Sequence, residues 1–163
     1  MKIEILQADY LNKDHAQAIR YLLNAYAADP MGGGKPLPDE IQNCIAKKLS
    51  EIDYAVSVIA YVNAEPAGLV NCFEGFSTFL CKPLLNIHDM IVLQKYRGIG
   101  LSQMLLEKVE EIAKIKGCCK LTLEVLSKNV VAQSSYTKFG FTGYELDPEI
   151  GKALFWEKRL KIT

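Results

Sequence analysis

Apolar and polar residues alternate at the start of the chain, putting Ile3 and Ile5 on one side of a short strand. The period then changes. Ala18, Ile19, Leu22, Leu23 and Tyr26 recur at three-and-four spacing, which predicts an amphipathic helix capped by Asn12 or Asp14. A loop follows through Asp29, Pro30, Met31 and the glycines at 32–34. Pro38, Asp39 and Glu40 fit the first turn of a second helix, whose expected buried stripe is Ile41, Ile45 and Leu49. Residues 55–62 and 69–73 are rich in β-branched and aromatic side chains and flank a turn at 63–66, so they predict a hairpin. A third strand at 85–93 runs into a glycine turn at 98–100. Next comes a strong amphipathic helix: Leu101, Leu105, Val109 and Ile112 line one face, opposite Glu107, Lys108, Glu111 and Lys114, and Gly117 ends it. Residues 119–126 predict a strand, 129–138 a short helix closed by Gly140, and 141–146 and 152–160 two last strands. Strand, glycine turn, helix, strand and helix in the second half argue an α/β unit with some parallel pairing.

No repeat, low-complexity tract or linker interrupts this order, so residues 1–163 are expected to form one domain. Half of the residues are apolar, ample for one core. The 19 basic and 19 acidic residues cancel, with no basic stripe, which argues against a nucleic-acid or membrane-surface partner. No apolar run approaches the ~20 residues of a bilayer-spanning helix. The opening lacks the layout of a signal peptide, and a cytoplasmic protein is expected. The five cysteines suggest no framework of pairs and read as reduced, mostly buried thiols. With only two histidines, no metal site is expected.

The chemistry is easiest to read where the third strand becomes the long helix, at Arg97, Gly98, Ile99, Gly100, Leu101 and Ser102. Unpaired backbone N–H groups at a helix start carry partial positive charge and bind an anion such as a pyrophosphate. Gly98 and Gly100 remove the β-carbons that would keep it away, Arg97 can add a charge-assisted fork, and the Ser102 hydroxyl is a further donor. Alone, such a turn is also a common connector. It is neither a P-loop, lacking Gly-Lys-Ser/Thr, nor a complete dinucleotide fingerprint, because Met104 stands at the third glycine.

Arg97 through Ser102, after a Val-rich strand, resembles the acetyl-CoA motif of the GCN5-related N-acetyltransferases (GNAT), with Ser102 where Gly or Ala is usual. The resemblance continues through residues 121–125, Asn129 and Ala132, and 135–141, and covers about 86–160. It implies an α/β (α+β) single-domain fold: a mixed, mostly antiparallel sheet of about seven strands with a splayed parallel pair, flanked by about four helices. It implies acetyl-CoA as cosubstrate, and pantetheine bonded to the exposed backbone of Ile91 and Val92 like an extra strand. A primary amine of a small molecule is the implied acceptor, and a homodimer is the family's habit.

Asn129, Ala132 and Tyr136 share one face of the short helix. Acetyl transfer expels a thiolate that a nearby phenol can protonate, and Tyr136 occupies the place of the family's general acid. The alternative is a tyrosine packed at a sheet edge. An amine acceptor must also lose a proton. His88, with Val92 four residues on, looks like the proton-relaying strand of arylalkylamine N-acetyltransferases. The other reading of His88 is a histidine that merely bonds Asp89 or a carbonyl. Asp89 should face the other way in a regular strand, and Glu74 is a further candidate base. Phe73, Phe76 and Phe79 around Glu74 suggest an aromatic wall with one carboxylate, suited to a cation with an apolar body. The glycines at 32–34 read as a mobile loop near the acceptor site. Two functions follow: direct-attack N-acetyltransfer, or a non-catalytic acyl-CoA-binding module on the same fold.

Overall fold

In the computed structural model, which describes residues 1–144, 149 and 151–160, Ile3–Gln7 forms strand β1 and Asn12 caps helix α1, Lys13–Ala28. The Asn12 side chain accepts from the N–H groups of Asp14 and His15. Helix α2 is Asp39–Ser50, and strands β2 (Ala55–Val62) and β3 (Glu65–Ser77) make the expected hairpin. Its two turn residues, Asn63 and Ala64, have φ of 50° and 66°, as a type I′ turn requires. Strand β4, Lys82–Val92, reaches helix α3, Leu101–Ile115, by way of a 3-10 turn at Gln94–Tyr96. Strand β5, Leu121–Leu123, and helix α4, Val130–Phe139, complete the described elements.

The strands lie in the order β1-β2-β3-β4-β5, antiparallel except for the parallel β4–β5 pair. Alternation along the strands divides the core in two. Val56, Val58, Ala60, Val70, Cys72, Leu85 and Ile87 pack under Leu101, Leu105, Leu106, Val109 and Ile112 of α3. Ile59, Leu69 and Ile91 point to the opposite face, under Ala18, Ile19 and Leu22 of α1 and Leu49 of α2. The stripe expected on α2 is thinner than its spacing suggested. Only Leu49 is buried and Ile41 is exposed, because the helix lies at the margin of the sheet. Leu105 is fully buried between α3 and the sheet. Leu105→Ala is expected to destabilise the fold by about 2–5 kcal/mol through lost burial and a residual cavity, read as a lower denaturant midpoint at unchanged slope.

One irregularity shapes the rest. Asn71 pairs with Asp89 but Cys72 pairs with Ile87, so His88 is an extra residue, a bulge in β4. Pairing of β4 with β5 ends at Ile87↔Leu123, just before that bulge, and the two strands diverge beyond it. Hence β5 is three residues long where 119–126 were expected. The two expected closing strands also differ. Residues 141–144 and 151–160 carry no strand beyond a single bridge at Lys152, and 145–146 lie outside the described residues. Among the described residues the sheet therefore has five strands instead of about seven, since β5 offers little edge on which to add more. The fold class, a mixed and mostly antiparallel sheet with four flanking helices, is as expected. Among the described residues no helix is long and apolar enough to cross a membrane. Of the five thiols only Cys72 is buried; Cys81 is exposed and the other three are intermediate, fewer buried than expected.

Candidate active site

The turn into α3 is built from two left-handed residues, Gly98 at φ 84° and Gly100 at φ 83°. An L side chain there costs roughly 1–2 kcal/mol, so glycine is what lets β4 turn into α3 this tightly. Gly100 is the N-cap and no side chain caps the helix. Gln103 N–H donates back to the Gly100 carbonyl at 3.0 Å, while those of Leu101 and Ser102 precede the first intrahelical bond. A β-carbon built on Gly98 or Gly100 would meet nothing within 4 Å. Open space therefore lies in front of partly positive amides. Arg97 stands beside it, its Nε donating to the Val92 carbonyl at 3.0 Å and its Nη2 to Asp29 Oδ2 at 3.1 Å. Asp29 comes from the end of α1. The Met31 N–H, opposed by burial and helped by Arg97, holds its carboxyl below the ordinary range.

These groups border an open cleft of about 780 Å³ running between β4, α3 and α4. Ile91, Val92, Arg97, Gly98, Gly100, Leu101 and Ser102 line it from one side, and Asn129, Ala132 and Tyr136 from the other. Ile99 is not among the lining residues and instead packs on the α3 core. The exposed backbone also differs from the expectation. Leu93 N–H bonds the Ala67 carbonyl, so alternation turns the polar groups of Ile91 toward β3 and those of Met90 and Val92 into the gap left by β5. Ile91 contributes a side chain; Met90 and the Val92 N–H offer the free strand edge, while the Val92 carbonyl is taken by Arg97 Nε.

Helix α4 is fixed to the head of α3. Gln103 Nε2 donates to the carbonyl and hydroxyl oxygens of Ser135, both at 3.0 Å, and the Ser135 hydroxyl donates to Ser102 Oγ at 3.1 Å. Asn129 caps α4, its Oδ1 accepting from Ala132 N–H at 3.2 Å. This clamp fixes Tyr136, whose ring packs edge-on to Phe141 at 5.9 Å. Its hydroxyl has no protein partner among the described residues. Burial, with Tyr26 adding to it, pushes the Tyr136 phenol up to about 12. The phenol is therefore protonated at neutral pH where it borders the cleft.

The bulge at His88 changes the expected base region. Where a regular strand would send Asp89 to the opposite side, the extra residue puts both side chains on the α1 face, with His88 Nδ1 3.2 Å from Asp89 Oδ1. The His88 ring is exposed and meets Phe73 edge-on at 5.6 Å, outside the lining of the cleft. Glu74 and Phe76 are not brought to the cleft. Strand β3 runs on to Ser77, so its period of two separates Phe73 from Glu74 and Phe76, and Phe79 is exposed beyond the strand. Glu74 is paired with Lys116 at the end of α3, 2.9 Å away. No single aromatic wall forms. The glycines at 32–34 are not free either: Gly32 and Gly34 N–H bond the Asp29 carbonyl and Lys35 N–H bonds that of Ala27, in a turn that offers Pro30 and Met31 to the cleft.

Sequence reasoning missed Tyr26, Asp29 and Gln103, all of which line the cleft. Asp29 and Arg97 are 68 positions apart, and nothing local marks them as partners. Gln103 carried a readable sign, since it sits one turn inside a helix start and faces the same way as Gly100.

The Acetyltransferase (GNAT) family profile matches residues 18–141. The chain is 33% identical over 76 residues to the thialysine N-epsilon-acetyltransferase of Caenorhabditis elegans, a match covering 45% of this chain and 47% of that protein. It is 37% identical over 60 residues to the glucosamine 6-phosphate N-acetyltransferase of Trypanosoma brucei brucei, covering 37% and 39%. The chain thus spans about half the length, or less, of the curated relatives it matches. In fold it superimposes on AAC(6')-Iy, solved in complex with the bisubstrate analog CoA-S-monomethyl-acetylneamine, with a TM-score of 0.77, 20% identity and coverage of 98% and 100%.

Proposed function

The chain belongs to the acetyltransferase (GNAT) family, and from that premise we propose that it moves the acetyl group of acetyl-CoA to the primary amine of a small molecule. One observation carries the reading: the uncapped glycine turn at Gly98 and Gly100 and the protonated phenol of Tyr136 border the same cleft. The residues fit the cosubstrate. Leu101 and Ser102 N–H groups and Arg97 would hold the pyrophosphate, with Asp29 giving up the guanidinium to it, and Met90 and the Val92 N–H would bond the pantetheine along the strand edge. Asn129 and Ala132 would flank it from α4.

The acceptor ammonium first gives a proton to a base, His88 being the candidate, and thence to solvent. Its nitrogen then forms a bond to the acetyl carbonyl carbon while the bond from that carbon to sulfur breaks. The nitrogen sheds its second proton as Tyr136 passes its own to the sulfur and is reprotonated. One proton thus ends on the thiol and one in solvent. Backbone N–H groups of the strand edge would steady the developing oxyanion. A covalent acyl-cysteine route has less support: burial pushes the Cys72 thiol up to about 12, and Cys81 lies in the turn joining β3 to β4.

The acceptor's class is supported by relatives named for amines: a thialysine, an amino sugar phosphate and, by fold alone, an aminoglycoside-derived analog. The test is a thiol-release screen with acetyl-CoA over polyamines, thialysine, aminoglycosides, amino sugars and arylalkylamines. At least one amine is expected to release CoA thiol above the hydrolysis background. Tight acetyl-CoA binding with no acceptor acetylated would instead favour a non-catalytic acyl-CoA-binding module.

A further inference from the structure

The core of the described sheet contains two buried polar side chains, Ser57 and Asn71, and both belong to one row. Ser57 pairs in register with Asn71, and Asn71 with Asp89, so the row crosses β2, β3 and β4 on the α1 face. The next row along is Ile59, Leu69 and Ile91, wholly apolar. Apolar side chains would fill the polar row at no desolvation cost, whereas each buried polar group left unpaired costs about 1–3 kcal/mol. None is unpaired. Tyr10 Oη lies 3.0 Å from Ser57 Oγ, Ser57 Oγ donates to Asn71 Oδ1 at 2.7 Å, and Asn71 Nδ2 donates to Asp89 Oδ2 at 3.0 Å. The remaining oxygen, Asp89 Oδ1, meets His88 Nδ1 at 3.2 Å.

The direction of every bond in this chain is determined. The Asp89 carboxylate only accepts, so Asn71 must present its NH₂ to it and its carbonyl to Ser57. Ser57 therefore spends its proton on Asn71, and Tyr10 must donate to Ser57. At the other end His88 can approach Asp89 only with the proton on Nδ1. That leaves Nε2 as a bare lone pair when the ring is neutral.

We propose that Asn71, backed by Ser57 and Tyr10, is a positioning residue that locks the Asp89 carboxylate and through it holds His88 with Nε2 bare, ready to take the proton of the acceptor ammonium. This rests on the acetyltransferase reading above. The bulge is what makes the pair possible, because without it Asp89 and His88 would lie on opposite faces. Titratable neighbours are Tyr26 on α1, whose phenol is raised by burial and then by Asp89 and Asp29, Cys72 on β3, and Tyr54, which contacts Phe73 beneath the His88 ring.

The first test needs no substrate. The ¹⁵N shifts of the two imidazoles, taken above their titration, are expected to show opposite tautomers. His88 should carry its proton on Nδ1, and His15, whose Nδ1 accepts the Asp9 N–H at 3.0 Å, on Nε2. In Asn71→Leu, or in the milder Ser57→Ala and Tyr10→Phe, which keep the packing, the His88 signal is expected to move toward the Nε2–H form. The second test uses the amine found by thiol release. Asn71→Leu is expected to lower kcat by about 10- to 100-fold, to displace the acidic limb of the pH profile, to leave KM for acetyl-CoA unchanged, and to cause no further loss in a His88→Gln background. A wild-type His88 protonated on Nε2 overturns the proposal. So does a set of variants with lowered melting temperature but unaltered tautomer, kcat and pH profile. If no amine is acetylated, the acetyltransferase reading fails by itself and the tautomer shift still decides the role of the row.

Discussion

Tyr136→Phe is expected to cut turnover by about 100-fold or more while acetyl-CoA affinity stays nearly constant. The substitution removes one oxygen and keeps the ring. The edge contact with Phe141 at 5.9 Å and the packing on the α3 core are therefore retained, and the clamp from Gln103 and Ser102 to Ser135 is untouched. Because the hydroxyl has no protein partner among the described residues, its loss leaves no buried group unsatisfied. Only the proton donor is lost. The sign of the pH dependence follows from the raised phenol. With Tyr136 held at about 12, its folded form stays protonated through the whole range in which a free phenol titrates near 10. Its contribution to stability is fully present below about 10 and is lost as pH rises toward 12, so an alkaline fall in turnover below pH 10 belongs to another group. Pre-steady-state measurement of thiol release, beside equilibrium binding of acetyl-CoA, separates the two effects. Wild-type turnover in Tyr136→Phe would remove the phenol from the mechanism.

How much of this was legible in the residues depends on the range over which each signal acts. The α3 face and its glycine start are local, set by spacing within a few turns, and they lie where periodicity put them. The same holds for Asn129, Ala132 and Tyr136 on one side of α4. The bulge at His88 is not local. It arises from the register of β4 against β3, and no spacing rule in 82–92 announces an extra residue there. Missing it sent Asp89 to the wrong face and hid the polar row. That row joins Tyr10, Ser57, Asn71 and Asp89 across 79 positions of sequence. The aromatic wall fails for a related reason: the β-rich composition stops at 73, whereas pairing with β4 carries the strand on to Ser77, and its period of two separates Phe73 from Glu74 and Phe76.

The largest effect on binding is expected from Gly100→Trp, which should weaken acetyl-CoA at least about 100-fold, or 2.7 kcal/mol. Two costs must be kept apart. The φ of 83° is unfavourable for any L residue, by roughly 1–2 kcal/mol, and this lowers stability whether or not a ligand is present. The second cost is specific to the site. A side chain at Gly100 extends into space where nothing stands within 4 Å, in front of the Leu101 and Ser102 amides and beside the Arg97 guanidinium. An indole there covers the donors that the diphosphate would use. The same helix supplies the control. Gly117, just past its far end, has φ of 71° and equally open surroundings. Gly117→Trp imposes a similar backbone strain on α3 without approaching the cleft. Both variants should lose a comparable few degrees of melting temperature, and only Gly100→Trp should lose acetyl-CoA in calorimetric titration. Equal affinities in the two would mean that the head of α3 does not hold the cosubstrate, and the assignments of Arg97, Tyr136 and the β4 edge would fall with it.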